Sequence, residues 1–307
     1  DDKDVPVFTG RFNIGAVSLH LPMILAKARS ESRDFYEVLD YYLEMIRNLH
    51  KRTYEYLGAM KASTNPLAYC EGGFYGGHLK PNERIKKLLK PMTASFGITA
   101  LNELQELYNG KSLVEDGAFA VEVLEHINQK ISEYKEEDGN LYAIYGTPAE
   151  TLCYRFARID REKYGDISNV TDKGYYTNSY HVDVREKIDA FTKFKIESEF
   201  QNKSLGGAIS YVEVPNLTNN VEAIEEVIRF IYDNIQYGEF NTKSDYCQVC
   251  GYDGEIMIND NMEWECPQCH NKDHAKMNVT RRTCGYLGEN FWNAGKTKEI
   301  KARVLHL

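Results

Sequence analysis

The amino-acid sequence predicts an α/β domain with a largely parallel sheet, followed by a small cysteine-rich unit. Strand-like and helix-like segments alternate over residues 1–240, which is the order typical of parallel sheets. Two Cys-x2-Cys pairs then follow between residues 247 and 269. The periodicity of apolar residues does not distinguish an open sheet from a barrel.

The first predicted strand covers residues 13–22 and ends at Pro22. Ser32 is expected to cap a long helix that runs to Gly58, because apolar residues recur at helical spacing after it. A glycine-rich loop over 66–77 and a polar loop over 160–182 lie between other elements. Those elements are strand 92–99, helix 100–110, helix 117–136, strand 141–146, strand 206–215 and helix 221–235.

Composition and charge exclude several classes of protein. The chain has 307 residues, is 42% hydrophobic and carries a net charge of −9, so a nucleic-acid partner is not expected. A small phosphorylated ligand remains compatible, because a few backbone amides can hold a phosphate. The sequence predicts neither a membrane span nor a signal peptide. The first residue is Asp1 and not methionine, so we expect the chain to be part of a longer polypeptide.

Four of the seven cysteines form a metal-binding pattern. Residues 247–269 have the spacing Cys-x2-Cys-x15-Cys-x2-Cys, which suits a tetrahedral, structural Zn²⁺ site in a reducing, cytoplasmic compartment. The residues between the two pairs predict a hairpin that brings the pairs together. Unrelated buried thiols or a redox pair are the alternatives, and His270 is a competing ligand. The predicted zinc ligands are Cys247, Cys250, Cys266 and Cys269.

The sequence GTPAET at residues 146–151 predicts the start of a helix directly after a strand. Thr147 is a good N-cap, Pro148 suits the first helical position, and Glu150 completes a capping box. The first amides of such a helix attract a phosphate group. On these residues alone, a well-capped helix without a ligand is the preferred interpretation.

The stretch RRTCGYLGEN at residues 281–290 contains Gly285, which on its own would be read as a turn glycine. Residues 282–286, RTCGY, resemble the signature of glycyl radical enzymes near their C-terminus. With a four-cysteine site just upstream, this version is similar to the anaerobic, class III ribonucleotide reductases. GRFNIGAVSLHLP at 10–22, GTPAET and YYTNSYHV at 175–182 also resemble blocks of that family.

The resemblance implies the C-terminal half of a ten-stranded α/β barrel and reduction of ribonucleoside triphosphates to deoxyribonucleotides. It implies a stable radical on Gly285, which generates a thiyl radical on a cysteine upstream of Asp1. It also implies formate as reductant, an activase using S-adenosylmethionine and an iron–sulfur cluster, nucleotide effectors bound outside this chain, and a homodimer. Asn13 would lie near the ribose or formate. The expected residues around the substrate phosphates are Thr147, Pro148, Ala149, Glu150 and Thr151.

The expected organisation is a half-barrel over 1–240, a zinc ribbon over 241–275 and the radical loop with the C-terminal segment over 276–307. Two alternatives stay open. The chain could be a non-catalytic zinc-ribbon protein that binds a nucleotide or a partner. It could also be a glycyl radical enzyme of the acyl-lyase type, although that group has Ser where Cys284 stands and lacks the ribbon.

Overall fold

The sheet that opens the fold consists of three parallel strands in the order β1–β2–β3. The computed structural model describes residues 9–215, 217, 219–282, 287–289 and 292–307. The first strands and helices are β1 (Asn13–His20), α1 (Leu21–Ser30), α2 (Phe35–Gly58), α3 (Pro66–Tyr69), β2 (Thr93–Thr99), α4 (Leu101–Asn109), α5 (Ala118–Asp138), β3 (Leu141–Gly146) and α6 (Glu150–Tyr164). Short 3₁₀ turns lie at Ala62–Thr64 and Ile85–Leu89.

The two faces of this sheet differ in character. Phe96 and Ile98 of β2 and Ile144 of β3 point into a large apolar core beneath α2 and α5. Residues 95, 97 and 99 of β2 alternate with them, so Ser95, Gly97 and Thr99 lie on the opposite face. That face is lined by small and polar groups, and Ser95 and Thr99 are fully buried on it.

The predicted α/β order is confirmed, with two local corrections. Pro22 does not end a strand, because it lies in the first turn of α1, where proline is tolerated. Ser32 does not cap the long helix: its φ is 51°, and Asp34 accepts the hydrogen bond from the Glu37 amide instead. Helix α1, which lies between β1 and α2, was therefore not predicted from the sequence.

A second parallel pair follows the polar loop. Its elements are α7 (Ala190–Gln201), β4 (Ser210–Glu213), α8 (Val221–Asn234) and β5 (Gly238–Asn241), with β4 and β5 in register. The amide of Gly206 donates to the Ile144 carbonyl at 2.7 Å, and the amide of Gly146 donates to the Gly207 carbonyl at 2.8 Å. These two bonds join the edge of β3 to the chain that leads into β4.

The C-terminal region is built from short strands. They are β6 (Asp245–Cys247), β7 (Asp253–Gly254), β8 (Met257–Ile258), β9 (Trp264–Glu265), β10 (Met277–Asn278), β11 (Thr280–Arg282) and β12 (Leu287–Glu289), followed by α9 (Ala294–Ala302). Antiparallel pairing of β8 with β9 confirms the predicted hairpin between the cysteine pairs. Within the described residues, no helix is both long and apolar enough to cross a membrane.

Candidate functional site

The four predicted zinc ligands come together in one cluster. Their sulfur atoms all lie within 4.8 Å of one another, with Cys247 Sγ 3.7 Å from Cys269 Sγ and Cys250 Sγ 3.7 Å from Cys266 Sγ. Among the residues that the structure describes, the group consists of four thiols alone, which fits a closed, tetrahedral, structural zinc site. The donor set therefore agrees with the metal predicted from the spacing.

Each cysteine pair is turned by the same local geometry. The amide of Gly251 donates to the Cys247 carbonyl at 2.9 Å, and the amide of His270 donates to the Cys266 carbonyl at 3.0 Å. Both residues have positive φ, 76° for Gly251 and 59° for His270. The sharp turn after each pair lets both of its thiols face one point.

His270 does not belong to the cysteine cluster and contacts a carboxylate instead. Its Nδ1 lies 2.6 Å from Oε1 of Glu265, and its side chain is 75% exposed.

Thiolate character is favoured at Cys247: burial opposes ionisation, but the amides of Cys250 and Val249 bring the pKa of this thiol down to about 7. The pKa of Cys250 is instead raised, chiefly by burial, so the thiols of the cluster do not ionise alike.

One buried carboxylate joins the ribbon to strand β11. Arg281 donates to Asp245 through Nη1 at 2.5 Å and Nη2 at 2.7 Å, and its guanidinium carbon lies 5.4 Å from the centre of the Trp264 ring. The same carboxylate accepts from the amides of Ile256 and Thr280 at 2.8 and 3.2 Å. Sequence reasoning missed this pair, because no local pattern connects positions 36 apart.

The predicted radical residue lies outside the described residues, as does its neighbour Cys284. Strand β11 pairs antiparallel with β12, and the last pair of this ladder is Arg282 with Leu287. Residues 283–286, which include Gly285, are the chain between those two partners. The described structure therefore fixes the two positions that flank the predicted radical loop.

The GTPAET segment differs from its prediction. Helix α6 begins at Glu150 with Ala149 as its N-cap, so the capping box on Thr147 is wrong. The Thr147 hydroxyl instead accepts from the Ser18 hydroxyl at 3.0 Å, and a Cβ on Gly97 would lie 2.2 Å from its oxygen. Thr147 therefore follows directly after β3, and Pro148 lies between it and the N-cap of α6.

Asn13 lies at the start of β1 on the polar face. Its Oδ1 accepts from the Gly15 amide at 2.8 Å, and its Nδ2 donates to the Ser95 hydroxyl. Thr147 contacts Ser18, which is opposite Gly97 in the β1–β2 register. Ser95 and Gly97 are two residues apart on one face, or about 7 Å along the strand. Two predicted site segments thus border the same small surface.

The YYTNSYHV segment lies at the carboxyl end of β2, where the amides of Ala100 and Leu101 donate to the carbonyls of Thr177 and Ser179 at 3.2 and 2.9 Å, and it is held by buried charges. Glu103 accepts from Lys173 Nζ at 2.5 Å and from the Thr177 amide and hydroxyl at 3.0 and 2.6 Å. Lys173 also contacts Asp183 at 2.7 Å; although burial opposes ionisation, the lysine charge holds the pKa of Asp183 well below its usual range. The resemblance located this segment, but not its charged support.

Comparison with known proteins identifies the family. The family model of anaerobic ribonucleoside-triphosphate reductase matches residues 2–306. The chain belongs to the anaerobic ribonucleoside-triphosphate reductase family. It is 37% identical over 316 residues to the anaerobic ribonucleoside-triphosphate reductase of Haemophilus influenzae, covering 100% of this chain and 44% of that protein. It is 37% identical to the one from Enterobacteria phage T4, covering 100% and 51%. The chain therefore spans about half the length of these relatives.

Solved structures of the same family share the fold. An anaerobic ribonucleotide reductase superposes with a TM-score of 0.68 at 20% identity, covering 94% of this chain and 44% of that chain. The Thermotoga maritima anaerobic ribonucleotide reductase in complex with dATP and CTP superposes with a TM-score of 0.64 at 18% identity, covering 95% and 46%. These similarities confirm the α/β fold class that the resemblance predicted for a reductase of this family.

Proposed function

We propose that this chain is the C-terminal portion of the catalytic subunit of an anaerobic ribonucleoside-triphosphate reductase. The observation that carries the proposal is the match of 2–306 to that family in a chain with the glycyl radical signature at 282–286. The whole active unit would then include the preceding half of a ten-stranded barrel. The protein would act as a cytoplasmic homodimer whose nucleotide effectors bind outside this chain.

In the proposed reaction, a radical on Gly285 takes a hydrogen atom from the thiol of a cysteine upstream of Asp1. The resulting thiyl radical abstracts the 3′-hydrogen of the ribose, and the 2′-hydroxyl takes up a proton and leaves as water. Formate supplies two electrons and a proton as it is oxidised to carbon dioxide, and the cysteine returns the hydrogen atom to the 3′-carbon. Glycine suits the first step because, without a Cβ, its α-carbon can flatten and approach a thiol closely. A separate activase, using S-adenosylmethionine and an iron–sulfur cluster, would install the radical.

The polar face beside β1–β3 is the proposed substrate surface. Residues 147–151 would hold the phosphates on the first amides of α6, where Ala149 provides no side-chain cap that would compete. Gly97 keeps this edge narrow, since any Cβ there would collide with Thr147 and Ser18. Asn13, with Ser95 beside it, would face the ribose or formate.

Zinc would act structurally in this proposal. Cys247, Cys250, Cys266 and Cys269 would hold the ion, which supplies a rigid crosslink and no open coordination position. The Asp245–Arg281 pair would pass that rigidity to β11, whose last residue, Arg282, lies three positions before Gly285. The ribbon thus supports the loop and does not take part in the chemistry.

Electron paramagnetic resonance on the full-length protein tests the proposal. The protein is treated anaerobically with its activase, S-adenosylmethionine and reductant. We expect a doublet, split by the one remaining α-hydrogen, that is absent in Gly285→Ala. Incorporation of α-deuterated glycine should collapse the splitting, which assigns the radical to a glycine.

The alternatives give different results in the same experiment. A non-catalytic zinc-ribbon protein would show no doublet in a folded, zinc-loaded sample with a demonstrably active activase. An acyl-lyase-type enzyme would show the doublet, yet would form no deoxyribonucleotide from a ribonucleoside triphosphate and formate. Either outcome would overturn the proposed function.

A further inference from the structure

Both backbone groups of Arg282 are bound by side chains from distant parts of the chain. The Arg282 amide donates to Asn241 Oδ1 at 3.3 Å, and the Arg282 carbonyl accepts from Arg303 Nη1 at 2.9 Å. Its own guanidinium pairs with Glu239 of β5. Arg282 is the last described residue before Gly285, so these contacts fix where the chain enters that segment.

Asn241 and Arg303 are themselves joined through Glu213. Arg303 Nη1 donates to Glu213 Oε1 at 2.8 Å, and Asn241 Nδ2 donates to the same oxygen. Glu213 and Asn241 are register partners at the ends of β4 and β5. The three side chains, hereafter the Glu213 clamp, therefore tie the end of the second sheet to one peptide of β11.

The clamp is buried and charged. The side chains of Glu213 and Arg303 are 3% and 1% exposed. Arg303 also donates to both oxygens of Glu299 at 3.2 Å, and although burial opposes its charge, Glu299 and Glu213 raise the pKa of Arg303 well above its usual value. The buried Arg303–Glu213 ion pair keeps a fixed geometry, because separating the two side chains would leave a buried charge uncompensated.

The C-terminal tail completes the arrangement. The Glu213 amide donates to His306 Nδ1 at 2.9 Å, and the His306 amide donates to the Glu213 carbonyl at 2.9 Å. Burial and the charge of Lys193 lower the pKa of His306 to about 4, so the ring is neutral and its Nδ1 can accept. The tail thereby holds Arg303 at the end of α9, beside Arg282.

We propose that Glu213, Asn241 and Arg303 are positioning residues for the radical loop. They hold the Arg282 peptide of β11 beside the ends of β4 and β5, so that the chain enters the segment containing Gly285 from one fixed point. Glu213 and Arg303 act through Arg282 and do not touch substrate. This inference rests on the proposed function, because only a reactive Gly285 requires such precise placement.

The test uses Arg303→Lys in the full-length protein. Lysine keeps the charge but cannot reach Glu213, Glu299 and the Arg282 carbonyl together, since it lacks the planar fork of arginine. The measurements are zinc content, glycyl radical per protein from the doublet intensity, and deoxyribonucleotide turnover per radical. We expect unchanged zinc and at least about a tenfold loss in turnover per radical, because a small misplacement of reacting groups slows chemistry strongly.

Arg229→Lys is the matched control. Arg229 makes the same type of pair four residues along a helix, with Glu225, but both side chains are largely exposed. Its turnover per radical should stay within about twofold of wild type. Asn241→Ala is the second clamp variant; it removes the partner of the Arg282 amide without burying a new charge, and should reduce turnover per radical in the same direction.

The outcomes are separable. Turnover per radical within about twofold of wild type in a folded, zinc-loaded clamp variant would overturn the inference. Loss of folding and zinc in both clamp variants would also overturn it, in favour of a purely structural role. Absence of the doublet in wild type would instead remove the proposed function, and the inference with it.

Discussion

The sheet β1–β3 and the cysteine-rich ribbon differ in the interactions that stabilise them. The sheet lies on a continuous apolar core that includes Phe96, Ile98 and Ile144, each 0% exposed. The ribbon strands are two or three residues long and pack around a small cluster with Ile256 and Trp264. Stability is therefore distributed over many contacts in the first region, whereas in the second it would rest chiefly on the ion that the four clustered cysteines are proposed to bind.

The largest expected effect is the loss of the ribbon without the metal. Cys266→Ser should abolish zinc binding and unfold residues 245–280, because a structural zinc site supplies about 10–16 kcal/mol of apparent binding free energy in small domains. Amide hydrogen exchange with mass spectrometry checks this. Peptides from 245–280 should lose protection, whereas peptides from β2 and α5 should keep theirs.

Cys70→Ser is the matched control for that change. Cys70 is partly exposed and lies outside the cluster of four thiols, so its loss should leave the zinc content unchanged. If β2 lost protection together with the ribbon in Cys266→Ser, the two regions would form one cooperative unit. The contrast drawn between distributed and concentrated stability would then be wrong.

The features that could be predicted from the sequence are those that depend on nearby residues. Local patterns located β1–β3, the long helix α2 and the four cysteines that come together in one cluster, because periodicity and cysteine spacing are local properties. Local patterns also misled: Pro22 opens α1 and does not end a strand, and the Thr147 hydroxyl contacts Ser18 and does not cap a helix. In both cases the neighbouring elements decided the role of the residue.

The contacts that support the candidate site could not be predicted from the sequence. Lys173 meets Glu103 across 70 positions, and Arg303 meets Glu213 across 90. The sequence alone does not show whether a charged residue forms a buried ion pair with a distant partner or lies exposed to solvent. Resemblance to the family located GTPAET and YYTNSYHV, but it carried no information on which buried charges hold them.

A second prediction concerns acid stability of the sheet region. Asp138 at the end of α5 accepts from Arg47 Nε and Nη2 at 2.8 and 2.7 Å and from the Tyr142 hydroxyl at 3.0 Å. The hydrogen bonds from Arg47 lower the pKa of Asp138 from 3.8 to about 2. Because the folded pKa is depressed, this carboxylate stabilises the fold above pH 3.8, and the contribution is lost as the pH falls towards 2.

Asp138→Asn should therefore reduce the unfolding free energy by about 2 kcal/mol at neutral pH and by almost nothing near pH 2. Denaturant unfolding at a series of pH values measures the difference from wild type. Protonation of the zinc thiolates affects both proteins alike and cancels in that difference. Asp233→Asn, at an exposed position of α8, should show no such dependence. A difference that stays constant from pH 7 to pH 2 would contradict the assignment to Asp138.

The smallest expected effect tests where the long helix begins. Asp34→Ala removes the acceptor of the Glu37 amide, 3.0 Å away, and should cost about 1 kcal/mol of unfolding free energy, as lost N-caps do. Ser32→Ala removes the hydroxyl that the sequence favoured as the cap. At φ 51° Ser32 lies outside the helix, and alanine has a similar backbone preference, so its loss should cost close to nothing.

The ratio of the two effects is the informative quantity. Both residues precede α2, which covers the apolar face of β1–β3, and neither lies near the zinc cluster. A larger loss in Ser32→Ala than in Asp34→Ala would place the helix start two residues earlier. Unchanged zinc content in both variants is expected, because the ribbon would depend on its proposed metal and not on packing against α2.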